Sequence, residues 1–181
     1  NSMSVRIING KGFASGKCRA HLGEKRVAET EADRLAQRVA ARMFNEDKAS
    51  QAMGMSVEAA GDGWARVSMI VRADMLNGHG TCHGGFLFVL ADSAFAFACN
   101  SRNERTVAQH CSITFLKPVP AGARLIAEAR RQAGSGRSGV YDVLVTGHDG
   151  EAVAIFRGLS RRIQGEIIED AAASSAGVLV P

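Results

Sequence analysis

The sequence predicts an α+β fold in which a curved antiparallel sheet wraps around a central apolar helix. Most segments alternate between apolar and polar residues, as strands with one buried face do, and only one helical segment interrupts them. That segment, residues 86–99, has Asp92 and Ser93 as its only polar side chains. A helix without a polar face has to be surrounded by other elements, and a sheet wrapped around it meets that need most simply.

Each predicted helix has a local signal. Thr30 opens a T-E-A-D capping box, and Leu35, Val39 and Met43 follow on one face at i,i+4 spacing. The central helix begins at two glycines, and its apolar run of 14 residues is too short to cross a bilayer. We therefore predict helices over residues 30–45, 48–53 and 84–99.

Turn residues divide the rest of the chain into strands. G-D-G at 61–63 and H-D-G-E at 148–151 are hairpin signals, and P-V-P-A-G at 118–122 breaks a strand. Because the strands follow one another through short turns, their pairing should be mostly antiparallel. The predicted strands span residues 55–60, 64–71, 106–116, 124–132, 138–146 and 152–163.

The basic charge of the chain lies outside the predicted domain. Residues 1–28 carry a net charge of +5, whereas the whole chain is +4, so residues 29–181 carry −1. Nucleic acid is therefore not expected as a partner of the domain. We predict a basic, disordered extension over 1–28 (a transit peptide is the alternative), a domain over 29–166 and a flexible tail over 167–181.

The cysteines indicate a reducing compartment. Cys18, Cys82, Cys99 and Cys111 form no C-x-x-C pair and no short disulfide spacing, and no apolar signal-peptide core is present. We therefore expect reduced thiols, a cytoplasmic location and no membrane association.

Asp92 is the first candidate for chemistry. Its helical neighbours at i±3 and i±4 are apolar, and removal of a carboxylate from water disfavours its charged form. One reading is structural: Asp92 caps a backbone group or pairs with a basic residue across an interface. The other is a general base or nucleophile with a raised pKa.

Gly84 and Gly85 stand at the start of the same helix, where the backbone N–H groups lack intrahelical partners. They could form an oxyanion hole or merely allow a tight turn. Gly84 lies about 12 Å from Asp92 along the helix, too far for both to act on one carbonyl. If both are catalytic, each site combines two chains, and a dimer with twofold-related sites is expected.

Other chemistries of this loop are less favoured. Cys82 and His83 could form a thiol nucleophile and its base, but adjacent side chains seldom point at each other. His79, Cys82 and His83 could ligate a metal, yet a fourth ligand is not apparent and the loop is rich in glycine. We predict no metal site.

Two turn segments could also bind substrate. Asn77 is a turn residue whose amide could donate to a carbonyl. The sequence G-S-G-R-S-G at 134–139 reads as a turn, and with Arg137 and its free amides it could hold a phosphate.

The stretch N-G-H-G-T-C-H-G-G-F-L-F-x-L-A-D-S-A-F-A-F-A-C-N-S resembles the signature of the PaaI-type hotdog-fold thioesterases of phenylacetate degradation. The resemblance continues in I-T-F-L-K-P-V-P-A-G, G-R-S-G-V-Y-D-V and F-R-G, over residues 30–166. It implies a hotdog fold, and dimers that commonly pair into tetramers. It also implies hydrolysis of acyl-CoA thioesters without a metal or other cofactor, CoA being part of the substrate.

The resemblance also implies roles for single residues. The Gly84 amide would polarise the thioester carbonyl with help from Asn77, and His83 would lie beside the leaving sulfur. Asp92 of the partner subunit would activate water or attack directly. Some relatives use a serine on the next strand to orient water; here Gln109 is a weak substitute.

The resemblance also indicates a class of substrate. We expect hydrolysis of phenylacetyl-CoA or ring-hydroxylated phenylacetyl-CoA. A non-catalytic acyl-CoA binding or regulatory hotdog protein is the alternative, and a hotdog dehydratase is a third option. The predicted substrate-binding residues are Gly85, Gln109, Lys117, Arg137, Ser138 and Gly139.

Overall fold

The computed structural model describes residues 29–169. The predicted basic extension and nearly all of the predicted C-terminal tail lie outside these residues, and the domain limits remain predictions. The helices are α1 (Glu31–Glu46), α2 (Lys48–Ala52) and α3 (Gly84–Asn100). The strands are β1 (Ser56–Gly61), β2 (Trp64–Ile70), β3 (Thr106–Phe115), β4 (Arg124–Ser135), β5 (Ser138–Gly147) and β6 (Ala152–Arg162).

The strands form one sheet in the order β1-β2-β4-β5-β6-β3, and every neighbouring pair is antiparallel. The predicted α+β class is confirmed. The predicted end of β4 at residue 132 is three residues short of the observed end at Ser135. Strand β4 is longer because its pairing with β5 continues to Ser135 and Ser138. A tight turn at Gly136, with φ of +58°, then connects β4 to β5.

The sheet wraps around α3, which packs against strands β2 to β6. Most of its side chains are buried, as expected for a helix that is apolar on nearly all sides. Phe95 is 1% exposed, and its ring lies against β6 at Gly158. Within residues 29–169 no helix is long and apolar enough to cross a membrane.

The two edges of the sheet differ in how they are covered. At the β1 side, α1 packs against the strand and begins with the predicted capping box between Thr30 and Asp33. The β3 edge has no neighbouring strand within the described part of the chain. Val107 and Phe115 on β3 are 44% and 52% exposed. A long edge strand with unpaired backbone groups and exposed apolar side chains is a site where another strand can pair.

We predict that Gly158→Ala destabilises the fold by about 1–3 kcal/mol, since an added methyl would lie 2.8 Å from the Phe95 ring and overpack the core. Gly78→Ala is the matched control, because a methyl there would meet no atom within 4 Å. Urea denaturation of both variants measures the effect. Equal unfolding midpoints for the two variants would contradict this packing.

Candidate active site

The first turn of α3 holds a free backbone donor at Gly84. His83 is the N-cap of the helix, and its Nδ1 accepts a hydrogen bond from the Gly85 N–H at 3.0 Å. The Gly84 N–H has no acceptor within residues 29–169. Because the N-terminus of a helix is electropositive, this N–H is positioned to bind a carbonyl oxygen. Sequence reasoning did not foresee the capping role of His83.

Gly84 is also required for packing. A methyl on its Cα would lie 2.8 Å from the Phe115 ring, which therefore contacts the bare backbone of the helix start. Phe115 was not among the predicted site residues. The reading of Gly84 as a mere turn residue is thus incomplete, because glycine lets an aromatic ring of β3 approach the free N–H.

Asn77 organises the loop before α3. Its Oδ1 accepts hydrogen bonds from the backbone N–H groups of His79 (2.9 Å) and Thr81 (3.3 Å). Its backbone N–H donates to the Thr81 carbonyl at 2.8 Å. The carboxamide nitrogen donates to no group within residues 29–169. Asn77 is therefore a turn residue that keeps a side-chain donor available for a ligand.

Asp92 lies on the face of α3 that the sheet leaves partly exposed. This face, which we call the open stripe, consists of Gly85, Phe88, Val89, Asp92 and Ala96. Within residues 29–169, Oδ1 of Asp92 accepts a hydrogen bond from the Cys111 thiol at 3.8 Å, and no basic side chain pairs with it. Burial raises the pKa of Asp92, and the thiol hydrogen bond opposes the shift in part.

The free N–H and the carboxylate do not meet within one chain. Gly84 lies at Phe115 and Asp92 lies at Cys111, so the two contacts are four residues apart on β3. At about 3.3 Å per strand residue this is about 13 Å, which agrees with the separation of about 12 Å along the helix. Within one chain the two groups are therefore too far apart to act on the same carbonyl, as the sequence predicts.

Cys82 is a poor nucleophile in this environment. Its side chain is 6% exposed, and burial raises the pKa of its thiol. The thiol donates to the His83 carbonyl, and within residues 29–169 it makes no hydrogen bond to the His83 ring. No group of three histidine, cysteine or acidic side chains within residues 29–169 is close enough to hold a metal ion.

The predicted substrate-binding residues beyond α3 fall into separate regions. Lys117 follows β3 and pairs with Glu151. Arg137 lies in the turn between β4 and β5, at the other end of β3, where its Nε donates to the Arg162 carbonyl at 3.0 Å. Ser138 and Gly139 share that region and help to line a small cleft of about 60 Å³. Their role in substrate binding remains a prediction.

Gln109 lies in a β-bulge of β3, where it has no partner on β6. It is exposed, and the side chain of β3 that contacts Asp92 within the chain is Cys111. Alternation on β3 could have indicated Cys111, because side chains 111, 113 and 115 share the helix-facing side. The sequence did not indicate the bulge, which changes the alternation of buried and exposed side chains for the residues of β3 before it.

Comparisons with known proteins agree with this architecture. The sequence profile of the thioesterase superfamily matches residues 79–154. The acyl-coenzyme A thioesterase PaaI of Escherichia coli K12 is 45% identical over 129 residues, which are 71% of this chain and 92% of that protein.

Solved structures give the same result. The structure of the E. coli PaaI protein from the phenylacetic acid degradation operon superposes with a TM-score of 0.73 at 43% identity, covering 75% of this chain and 98% of that one. A hypothetical thioesterase protein with coenzyme A from Streptococcus pneumoniae gives a TM-score of 0.59 at 26% identity, covering 62% and 90%. The chain therefore belongs to the thioesterase superfamily, among the PaaI-type proteins of hotdog fold.

Proposed function

We propose that the protein hydrolyses acyl-CoA thioesters, and that phenylacetyl-CoA or its ring-hydroxylated forms are its substrates. The observation that carries this proposal is that α3 has both a free N-terminal amide and a partly buried carboxylate, which has no cationic partner within residues 29–169. Such groups suit an oxyanion hole and a general base, respectively. The relatives named above, an acyl-coenzyme A thioesterase and a protein with bound coenzyme A, support the same chemistry.

The reaction divides the work between two subunits. The Gly84 N–H, assisted by Asn77, donates to the thioester oxygen and stabilises the negative charge that develops there. Asp92 of the partner subunit takes a proton from water as the water oxygen attacks the carbonyl carbon. The C–S bond then breaks, and CoA leaves as the thiol with the proton that Asp92 returns. Because Nδ1 of His83 accepts the Gly85 N–H, a neutral ring carries its proton on Nε2, which can donate to the departing sulfur.

A twofold dimer through the β3 edge would complete the site. Gly84 contacts Phe115, and Asp92 contacts Cys111. A twofold axis near residue 113 would therefore place Gly84 and Phe115 of one chain opposite Asp92 and Cys111 of its partner. The same axis would bring Arg137 of the partner subunit towards the end of β3 that carries Lys117. Phosphates of one CoA could then contact cations from both chains. A dimer of such dimers is part of the proposal.

An aromatic acyl group suits the lining of this junction. Phe88 and Val89 precede Asp92 by four and three residues and so flank it on the helix surface. Phe115 lies at Gly84. Aromatic rings favour edge-to-face contacts with one another, which a phenylacetyl group can make. The E. coli relative comes from the phenylacetic acid degradation operon, which favours the same substrate class.

We expect Asp92→Asn to lower kcat by about 10²-fold or more, since the amide cannot accept a proton from water. Asp74→Asn is the matched control, because that exposed carboxylate pairs with Arg72 outside the site. Thiol release from phenylacetyl-CoA, its ring-hydroxylated forms and straight-chain acyl-CoA esters gives the rates and ranks the acyl groups. Titration with a non-hydrolysable thioether of CoA tests binding separately.

The outcomes of this experiment are distinct. Loss of turnover with retained thioether binding supports the proposal. Normal kcat in Asp92→Asn refutes it. Thioether binding without turnover of any ester by the wild-type protein favours the non-catalytic binding protein, and a faster straight-chain ester overturns the aromatic assignment alone.

We further expect Ser112→Glu combined with Thr114→Glu to yield monomers without thioesterase activity. Both residues are exposed on β3 in the single chain. A twofold axis near residue 113 places Ser112 of one chain opposite Thr114 of its partner, and Thr114 opposite Ser112. Like charges directly opposite each other destabilise strand pairing. Sedimentation velocity measures the assembly. The control is Ile70→Glu with Gln132→Glu, which adds the same charge at exposed positions on β2 and β4; an unchanged assembly of the β3 variant would contradict pairing through β3.

A further inference from the structure

The Cys111 thiol is aimed at the carboxylate of Asp92. It lies on the helix-facing side of β3, and its Sγ is 3.8 Å from Oδ1 of Asp92, within the range of a weak S–H donor. Across the ladder Cys111 is paired with Gly158, above which the Phe95 ring packs. The strand therefore fixes the thiol at one oxygen of the carboxylate.

The protonation states of the pair suit a donor and an acceptor. Burial raises the pKa of the Cys111 thiol to about 11, with a further contribution from the charge of Asp92. Cys111 is thus a thiol at neutral pH and can donate to the carboxylate. Within residues 29–169, Cys99 is the other titratable group that the charge of Asp92 affects, and burial raises the pKa of Cys99 to about 12. Its thiol donates to the Ala96 carbonyl at 3.5 Å and leaves Asp92 free.

We propose that Cys111 is a positioning residue, which holds Oδ1 of Asp92 so that Oδ2 faces the attacking water. This proposal rests on the proposed function, because it concerns the base of that reaction. An unsupported carboxylate on the open stripe could rotate about χ2, whereas a donor fixed on a strand selects one orientation. The general base then meets the water with the same oxygen in each turnover.

A thiol suits this role better than a hydroxyl. Burial makes Asp92 more basic, and each hydrogen bond to its charged form makes it less so. A thiol is a weak donor, so it orients the carboxylate with little loss of basicity. A hydroxyl is a stronger donor, and where a small shift of the Asp92 side chain brings the carboxylate within its shorter reach, it would stabilise the charged form more strongly. The residue type thus sets both the orientation and the strength of the base.

Two substitutions at this position should act in opposite directions. Below the pKa of Asp92 the carboxylate is protonated and kcat/KM falls. In Cys111→Ser the stronger donor lowers that pKa, so the acid limb of the pH profile should move to lower pH. In Cys111→Ala the donor is lost and the limb should move to higher pH, with kcat at the plateau falling about tenfold as the orientation is lost. Cys111→Ser should keep most of the plateau kcat.

The control and a second readout make the test specific. Cys99→Ser changes a buried thiol of the same helix that does not contact Asp92 and should leave the acid limb in place. Carbon-13 NMR titration of the Asp92 carboxyl, assigned by comparison with Asp92→Asn, follows the same pKa without turnover. Both measurements should order the Asp92 pKa as Cys111→Ser lowest, wild type next and Cys111→Ala highest.

The inference and the proposed function fail in different ways. Suppose that Asp92→Asn is inactive. If both Cys111 variants then keep the wild-type acid limb and the wild-type Asp92 carboxyl titration, or if both shift the Asp92 pKa in the same direction, Cys111 does not position Asp92. If Asp92→Asn is fully active, the proposed function itself is wrong, whatever Cys111 does.

Discussion

The separation between the free Gly84 amide and the Asp92 carboxylate is the constraint on which the proposed chemistry depends. Both groups belong to α3, and they lie about 12 Å apart along its axis. A rigid helix cannot shorten that distance, so one thioester cannot contact both groups of a single chain. Two chains related by a twofold axis can supply one group each. In the proposed reaction, catalysis therefore depends on assembly, because one helix cannot supply both groups to the same thioester.

Different faces of the central helix contribute to the core and to the candidate site. Side chains such as Phe95 and Phe97 are almost fully buried and hold the sheet around α3. The open stripe is less covered, and it carries the carboxylate. The partial burial of Asp92 raises its pKa without removing it from solvent.

The fold was predictable from the sequence because its signals are local. The capping box at Thr30, the turns at G-D-G and H-D-G-E and the alternation of the strands gave each element with limits close to those observed. The end of β4 was missed, since strand length beyond residue 132 depends on pairing with β5 and not on its own pattern.

The candidate site was predictable only where a residue acts through its own helix. Gly84 and Asp92 were identified from spacing and polarity. The contacts of Cys111 with Asp92 and of Phe115 with Gly84 depend on how β3 lies against α3, which no local pattern encodes. The bulge at Gln109 shifts the alternation on that strand. The resemblance to PaaI-type enzymes implied roles for single residues, but it could not indicate contacts particular to this chain.

Activity of a mixed dimer tests the central claim most directly. Gly84→Val, whose side chain would clash with Phe115, and Asp92→Asn each inactivate one half of the proposed site. When chains with different affinity tags are co-expressed and the heterodimer is isolated, one of its two sites regains an intact Gly84 and an intact Asp92. A site built from two chains predicts about half of the wild-type activity per heterodimer. A heterodimer as inactive as the two parent variants would contradict it.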